Sequence, residues 1–185
     1  MDEIFDVFDE EMRLLGTASR QEVHRVGHWH QTFHCWVLHR SQAGDFLLLQ
    51  RRHRTKDTYP NKLDISCAGH LATKESPADG VREIWEELGI AMEFARLHKV
   101  GVFQSANIWQ DVQDNEFCNV FVWVRDEDAL TDYRPALEEV SGLYLIRVEE
   151  MERLCRGQLE TAPVHGFDLN DAGVRCERKT GDDAV

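Results

Sequence analysis

Apolar positions along the chain fall into short runs whose spacing separates strands from helices. Ile4 to Phe8 predicts a short strand leading into a turn. Ser19 is a plausible N-cap for a short helix over Arg20 to Val26. Gln31 to His39, rich in aromatic and β-branched residues, predicts a strand. Ser41 to Asp45 is a turn, and Phe46 to Gln50 is the returning strand. Arg51 to Asn61 is a polar, basic loop, and Leu63 to Ala68 a short strand leading to Gly69. Ser76-Pro77-Ala78-Asp79 is a helix start: a cap, a proline suited to the first helical position, and an acid where a capping box wants one. That helix is predicted to run to Leu88, with Gly89 just past its end. Val100 to Phe103, Glu116 to Val124 and Gly142 to Ile146 predict further strands, and Val148 to Cys155 a further helix. From Asp168 onward periodicity is lost, so residues 168–185 are expected to be a loose tail and 1–167 a single domain. Interleaved strands and helices predict a mixed α/β fold.

Charge narrows the partners. The 185 residues carry 21 Lys and Arg against 34 Asp and Glu, a net charge of −13. Such an excess opposes binding to nucleic-acid polymers or acidic membranes, both of which require a basic surface. The five cysteines, Cys35, Cys67, Cys118, Cys155 and Cys176, form no C-x-x-C pair, against a zinc ribbon or a disulfide framework. Met1 to Asp6 has no basic-then-apolar leader pattern, and runs such as Val120 to Val124 are too short to span a bilayer. A reduced, cytoplasmic protein is expected, with a homodimer left open.

The most informative segment is Arg82-Glu83-Ile84-Trp85-Glu86-Glu87-Leu88-Gly89-Ile90. At helical spacing Glu83, Glu86 and Glu87 share a sector of about 100°. Val81, Ile84, Trp85 and Leu88 form the opposite, apolar face. The helix is therefore expected to pack on a core and present its acids outward. Like charges at these spacings cost about 0.2–0.5 kcal/mol each, in helix turns whose dipole favours cations. A bound hard cation such as Mg²⁺ or Mn²⁺ would relieve them. Taken alone, the cluster reads as a solvated acidic face relieved by pairing of Arg82 with Glu86.

The context favours the metal. Gly69 to Ile90 resembles the Nudix box, G-x5-E-x7-R-E-U-x-E-E-x-G-U with U aliphatic, and has every specified residue. One residue is missing between Glu75 and Arg82. The resemblance implies the Nudix fold, an α/β/α sandwich around a mixed β-sheet, and metal-dependent hydrolysis of a diphosphate linked to another moiety. It implies Glu83, Glu86 and Glu87 as metal ligands, the Gly69 carbonyl as a helper, and Arg82 and Glu75 as orienting groups. Glu86, Glu87 and Arg82 are thereby catalytic candidates.

Beyond the box, Glu3 to Glu150 resembles the isopentenyl-diphosphate isomerase branch. The markers include Glu22-Val23-His24-Arg25, His28-Trp29-His30, Trp36, Gln50-Arg51-Arg52, Lys56, Tyr59-Pro60 and Gly69-His70. Asp114-Asn115-Glu116-Phe117-Cys118 is similar to that enzyme's E-N-E strand, which makes Glu116 a candidate ligand and base. Alternation places Glu116 with Cys118 on one face, and a site at the strand's start is expected to bring it beside the three helix glutamates. His30, His70, Asp114 and Glu116 could mimic the isomerase's histidine metal site. The same resemblance makes Arg51, Lys56 and His70 candidate substrate-binding residues. Trp29, Tyr59, Phe103 and Trp109 receive no role. The isomerase carries its catalytic cysteine immediately before Gly-His, where this chain has Ala68, and Cys67 should point to the opposite face. A hydrolase acting on a small-molecule diphosphate is therefore expected. The alternatives are a diphosphate isomerase and a catalytically silent Nudix binding module.

Overall fold

The computed structural model describes residues 3–126 and 130–178. Strands β1 (Ile4–Phe8) and β2 (Leu14–Ser19) pair as an antiparallel hairpin of their own. The main sheet contains β3 (His30–Ser41), β4 (Gly44–Arg52), β5 (Leu63–Asp64), β6 (Cys67–His70), β7 (His98–Trp109), β8 (Val112–Arg125), β9 (Val140–Arg147), β10 (His165–Leu169) and β11 (Arg175–Arg178). Its order is β11-β10-β9-β4-β3-β8-β7, with β5 added to β4 and β6 to β3. Neighbours are antiparallel except β3 and β8, which run parallel from His30 opposite Glu116 to His39 opposite Arg125. The helices are α1 (Arg20–Val26), α2 (Arg82–Leu88) and α3 (Val148–Cys155).

Alternation along the strands makes two apolar faces. Phe33, Cys35 and Val37 of β3, with Phe121 and Trp123 of β8, pack against Ile84 and Leu88 of α2. Leu49 of β4 and Tyr144 and Ile146 of β9 pack on the other side against Met151 and Leu154 of α3. The result is the α/β/α sandwich around a mixed sheet. Helix α1 starts where its cap requires: the Ser19 hydroxyl accepts the Glu22 N–H, and Gly27 closes the helix in the left-handed conformation. Its one buried side chain, Val23, packs on Phe5 and Val7 of β1.

The sheet is split. β3 and β4 pair only near their hairpin, from Leu38 opposite Leu47 to Ser41 opposite Gly44. Beyond that they part, and β6 lies along β3 while β5 lies along β4. Ser66, fully buried between them, accepts the Val37 N–H at 2.8 Å and donates to the Leu48 carbonyl at 2.6 Å. It satisfies one backbone group from each parted strand.

Four expectations need correction. β2 is a strand although Leu14 and Leu15 are exposed, so its sequence shows no buried face to read. β7 and β8 are much longer than the apolar runs within them, because most of β7 is exposed and its order comes from backbone pairing with β8. Helix α2 begins at Arg82, and residues Asp79–Val81 form a 3-10 turn. The capping chemistry is present, since Asp79 accepts both the Ser76 N–H and hydroxyl, but it serves that turn. Finally, the boundary at residue 167 falls inside β10, and 168–178 belong to the β10–β11 hairpin rather than to a loose tail. Phe167 is buried, and Asp168 receives Arg51, Arg178 and the Tyr144 hydroxyl. Residues 179–185 lie outside the described residues. Among those described, no helix is long and apolar enough to cross a membrane.

Ser66→Ala leaves a buried N–H and a buried carbonyl without their bridge. We expect a loss of about 1–3 kcal/mol in urea unfolding. Unchanged stability would show that the parted strands do not depend on this hydroxyl.

Candidate active site

Helix α2 lies over the split, and its acids enter from that side. An ideal Cβ on Gly69 would lie 2.0 Å from the Glu83 carboxylate carbon, so Glu83 occupies the space that only glycine leaves open. The Glu87 Oε2 accepts the Gln50 side-chain amide at 3.0 Å and the Ala68 N–H at 3.1 Å, one donor from each side of the split. Glu86 alone is exposed, whereas Glu83 and Glu87 are 8% and 6% exposed. The expected outward acid cluster is thus turned inward, and Trp85, expected in the core, is 60% exposed. Burial is sustained because donors in the cleft and Arg82 take the place of water.

Arg82 holds the set together. Its guanidinium bonds Glu83 at 2.6 Å, Glu86 at 3.0 Å, the His70 carbonyl at 3.0 Å and both oxygens of Glu75 at 3.1 Å. The Glu75–Arg82 pair therefore forms despite the missing residue. Burial pushes the Glu83 carboxyl up to about 7, opposed by Arg82 and reinforced by Glu86. Burial does the same to Glu87, also to about 7, opposed by the Ala68 N–H and reinforced by Glu83. Crowded carboxylates with oxygen donors only are the donor set of a hard divalent cation, and the residues present fit Mg²⁺ or Mn²⁺.

A cavity of about 650 Å³ adjoins these acids and is also lined by His24, His34, His70, Asp114 and Glu116. Lys56 lines it too, ion-paired with Glu139. Arg51, expected to grip phosphate, does not line this cavity. It turns to the opposite side, bonding Asp168 at 2.9 and 3.1 Å and covering the Tyr144 ring. Successive strand residues face opposite ways, so Arg52 meets the cavity where Arg51 turns from it. Arg52 lines the cavity instead, fastened to Asp64 at 2.8 Å and the Thr58 carbonyl at 2.9 Å. Sequence reasoning missed Arg52 as a cavity residue. It also missed Gln50, although a polar residue in phase with core-facing Phe46 and Leu48 was the available signal.

The histidines converge more closely than their spacing could show. One ligand atom each from His24, His30, His70 and Asp114 lies within 4.8 Å of the others. The buried Nε2 atoms of all three histidines and Oδ1 of Asp114 lack a hydrogen-bond partner. The His24 and His30 Nε2 atoms stand 3.5 and 3.6 Å from that oxygen. His30 Nδ1 is held by the His28 carbonyl at 3.0 Å, which turns its other nitrogen inward. Burial pushes His30 and His70 below the usual imidazole range, toward the neutral form that ligates metal. Four orphaned atoms meeting at one point fit a metal ion. His70 therefore belongs to this cluster.

Glu116 lines the same cavity as the α2 acids. It shares a face with Cys118, as alternation requires, but that face is opposite Phe121 and Trp123, which pack on α2. Its neighbours are Cys118 at 3.6 Å and His34 at 3.8 Å. It meets the α2 acids only as part of a shared cavity lining. The cause is the split, which lets side chains from both sheet faces border one space.

Gly69→Ala puts a methyl group into the Glu83 carboxylate. We expect Mg²⁺ or Mn²⁺ affinity to fall at least about tenfold, measured by titration calorimetry, with the fold retained by circular dichroism. Undiminished affinity would remove Glu83 from the ligand set.

Comparison with known proteins agrees with this geometry. The NUDIX domain model matches residues 28–164. An uncharacterized Nudix hydrolase of Clostridium acetobutylicum is 41% identical over 94% of this chain and 84% of its own length. An isopentenyl-diphosphate Delta-isomerase of Kocuria rhizophila is 34% identical over 73% of this chain and 72% of its own. The crystal structure of DR0079 from Deinococcus radiodurans superimposes with a TM-score of 0.61 at 20% identity, covering 97% and 94% of the two chains. The box built around Arg82 and its glutamates, the sandwich that carries it and these relatives together make this chain a member of the Nudix hydrolase family.

Proposed function

We propose that this protein hydrolyses a small-molecule diphosphate linked to another moiety, with water attacking phosphorus and a divalent cation, Mg²⁺ or Mn²⁺, held by Glu83, Glu86 and Glu87. The observation that carries this reading is the placement of all three carboxylates, with Arg82 and Gly69, along one cavity large enough for such a substrate. When bound, the cation neutralises phosphate oxygens and lowers the pKa of a water. Arg82 holds Glu83 and Glu86 in position through its anchor on Glu75. Glu87 is oriented from both sides of the split by Gln50 and the Ala68 N–H. A carboxylate of α2 takes the proton from the attacking water. Lys56 and Arg52 supply positive charge on the phosphate side of the cavity. The group formed by His24, His30, His70 and Asp114 would hold a second metal ion.

The isomerase reading is disfavoured by one observation. Ala68 lines the cavity where that enzyme places its cysteine, while Cys67 is fully buried in the core shared with α2. Retention of all three glutamates supports turnover over a silent binding module.

Glu86→Gln and Glu87→Gln should each lower kcat by orders of magnitude while the protein still folds. Full activity of both variants in excess chelator would refute the metal role. Cys67→Ala should leave turnover within a few-fold of the parent, checked by steady-state kinetics. A panel of nucleotide sugars, dinucleotides, thiamine diphosphate and isoprenoid diphosphates with Mg²⁺ should show phosphate-bond cleavage. An isomerised isoprenoid diphosphate without cleavage, abolished by Cys67→Ala, would replace hydrolysis with isomerisation.

A further inference from the structure

We propose that β7 is a self-association edge: two copies of this chain pair their β7 strands antiparallel across a twofold axis near Gln104 and so join their main sheets. The inference does not depend on the hydrolase reading.

The two ends of the main sheet are built differently. At one end β11 is four residues long, and Arg175, Glu177 and Arg178 within it are charged. Short length and charge are the usual protection of an edge, because free N–H and C=O groups invite another strand. At the other end β7 is twelve residues long, about 40 Å at strand spacing. Among the described residues its backbone pairs with β8 and with no second strand. It has no proline, and no Asp, Glu, Lys or Arg occurs from Val100 to Gln110. The register shift that bends this edge lies at its start, between Lys99 and Gly101.

Buried strands lack charge because burial excludes it, but β7 is not buried. Phe103 is 53% exposed and Ile108 is 75% exposed, and Val102 is exposed as well. Alternation puts Val102 and Ile108 on one sheet face and Phe103 on the other. A strand added here would therefore cover apolar groups on both faces.

Charge and symmetry select a second copy as the occupant. Each chain carries a net charge of −13, and two such chains repel unless they meet over an uncharged strip. β7 provides that strip. The first charges beyond it have opposite signs, Lys99 before and Asp111 after. Antiparallel pairing sets the Lys99 end of one copy against the Asp111 end of the other, and symmetry does so twice. One patch then serves both partners. With Gln104 facing its own copy, Val102 lies opposite the partner's Ala106, and the two Phe103 rings are diagonal neighbours within reach of each other. Ser105 and Asn107 line the cavity, so the pairing brings a second chain to its edge.

Sedimentation equilibrium of the full chain at micromolar concentration tests the pairing. We expect twice the 21.5 kDa chain mass, falling toward the single-chain value on dilution. Val102→Glu with Ala106→Glu sets like charges opposite each other across the twofold and should weaken association at least about tenfold. Val102→Lys with Ala106→Glu sets opposite charges there and should restore it. Both positions are exposed, so both variants should keep the parent's circular dichroism. A monomeric parent would overturn the proposal and leave β7 to a strand of another protein. Undiminished association of folded V102E/A106E would also overturn it, placing the dimer contact elsewhere. So would association of V102K/A106E no tighter than that of V102E/A106E.

Discussion

The parting of β3 from β4 is the constraint on which the site depends. Two antiparallel strands that separate expose unpaired backbone groups, and burying those without partners is costly. Here β5, β6 and the Ser66 hydroxyl take up that pairing. The same opening gives Glu87 two donors that neither strand could offer if the sheet were closed. Without the split, a carboxylate from α2 would meet a continuous apolar sheet and be driven back to solvent.

Charge is arranged around that opening rather than spread over it. Arg82 binds the α2 acids from one side and is itself anchored by Glu75 and the His70 carbonyl. Histidines and two acids of β8 line the rest of the cavity. The lining combines the carboxylates of α2 with imidazoles and the acids of β8.

Particular residues show how far the order of side chains reaches. Ser19 and Gly27 bracket α1, because cap chemistry is local. Likewise the opposed directions of Cys67 and Ala68 follow from strand alternation. The acids of α2 were legible as a cluster, but their burial was not, since it depends on donors at Gln50 and Ala68 from distant strands. Arg51 and Arg52 serve opposite sides of the sheet as strand alternation requires, but which side holds the cavity was decided by the packing of distant elements. The β10–β11 hairpin escaped notice because an edge hairpin is ordered by backbone pairing and a few anchors such as Asp168, with little apolar periodicity.

By itself, the sequence determined the α/β class, the phase of Glu83, Glu86 and Glu87 on one helix, and the facing of Glu116 with Cys118. Each of these rests on a repeat of 3.6 or 2.0 residues, which is a property of the backbone alone. Tertiary structure decided which of those faces meets solvent, how His24, His30, His70 and Asp114 converge, and that Glu116 stands beside His34. Those outcomes depend on where β3 and β4 part and on which distant strand fills the gap, and long-range pairing of that kind leaves no periodic trace in the chain.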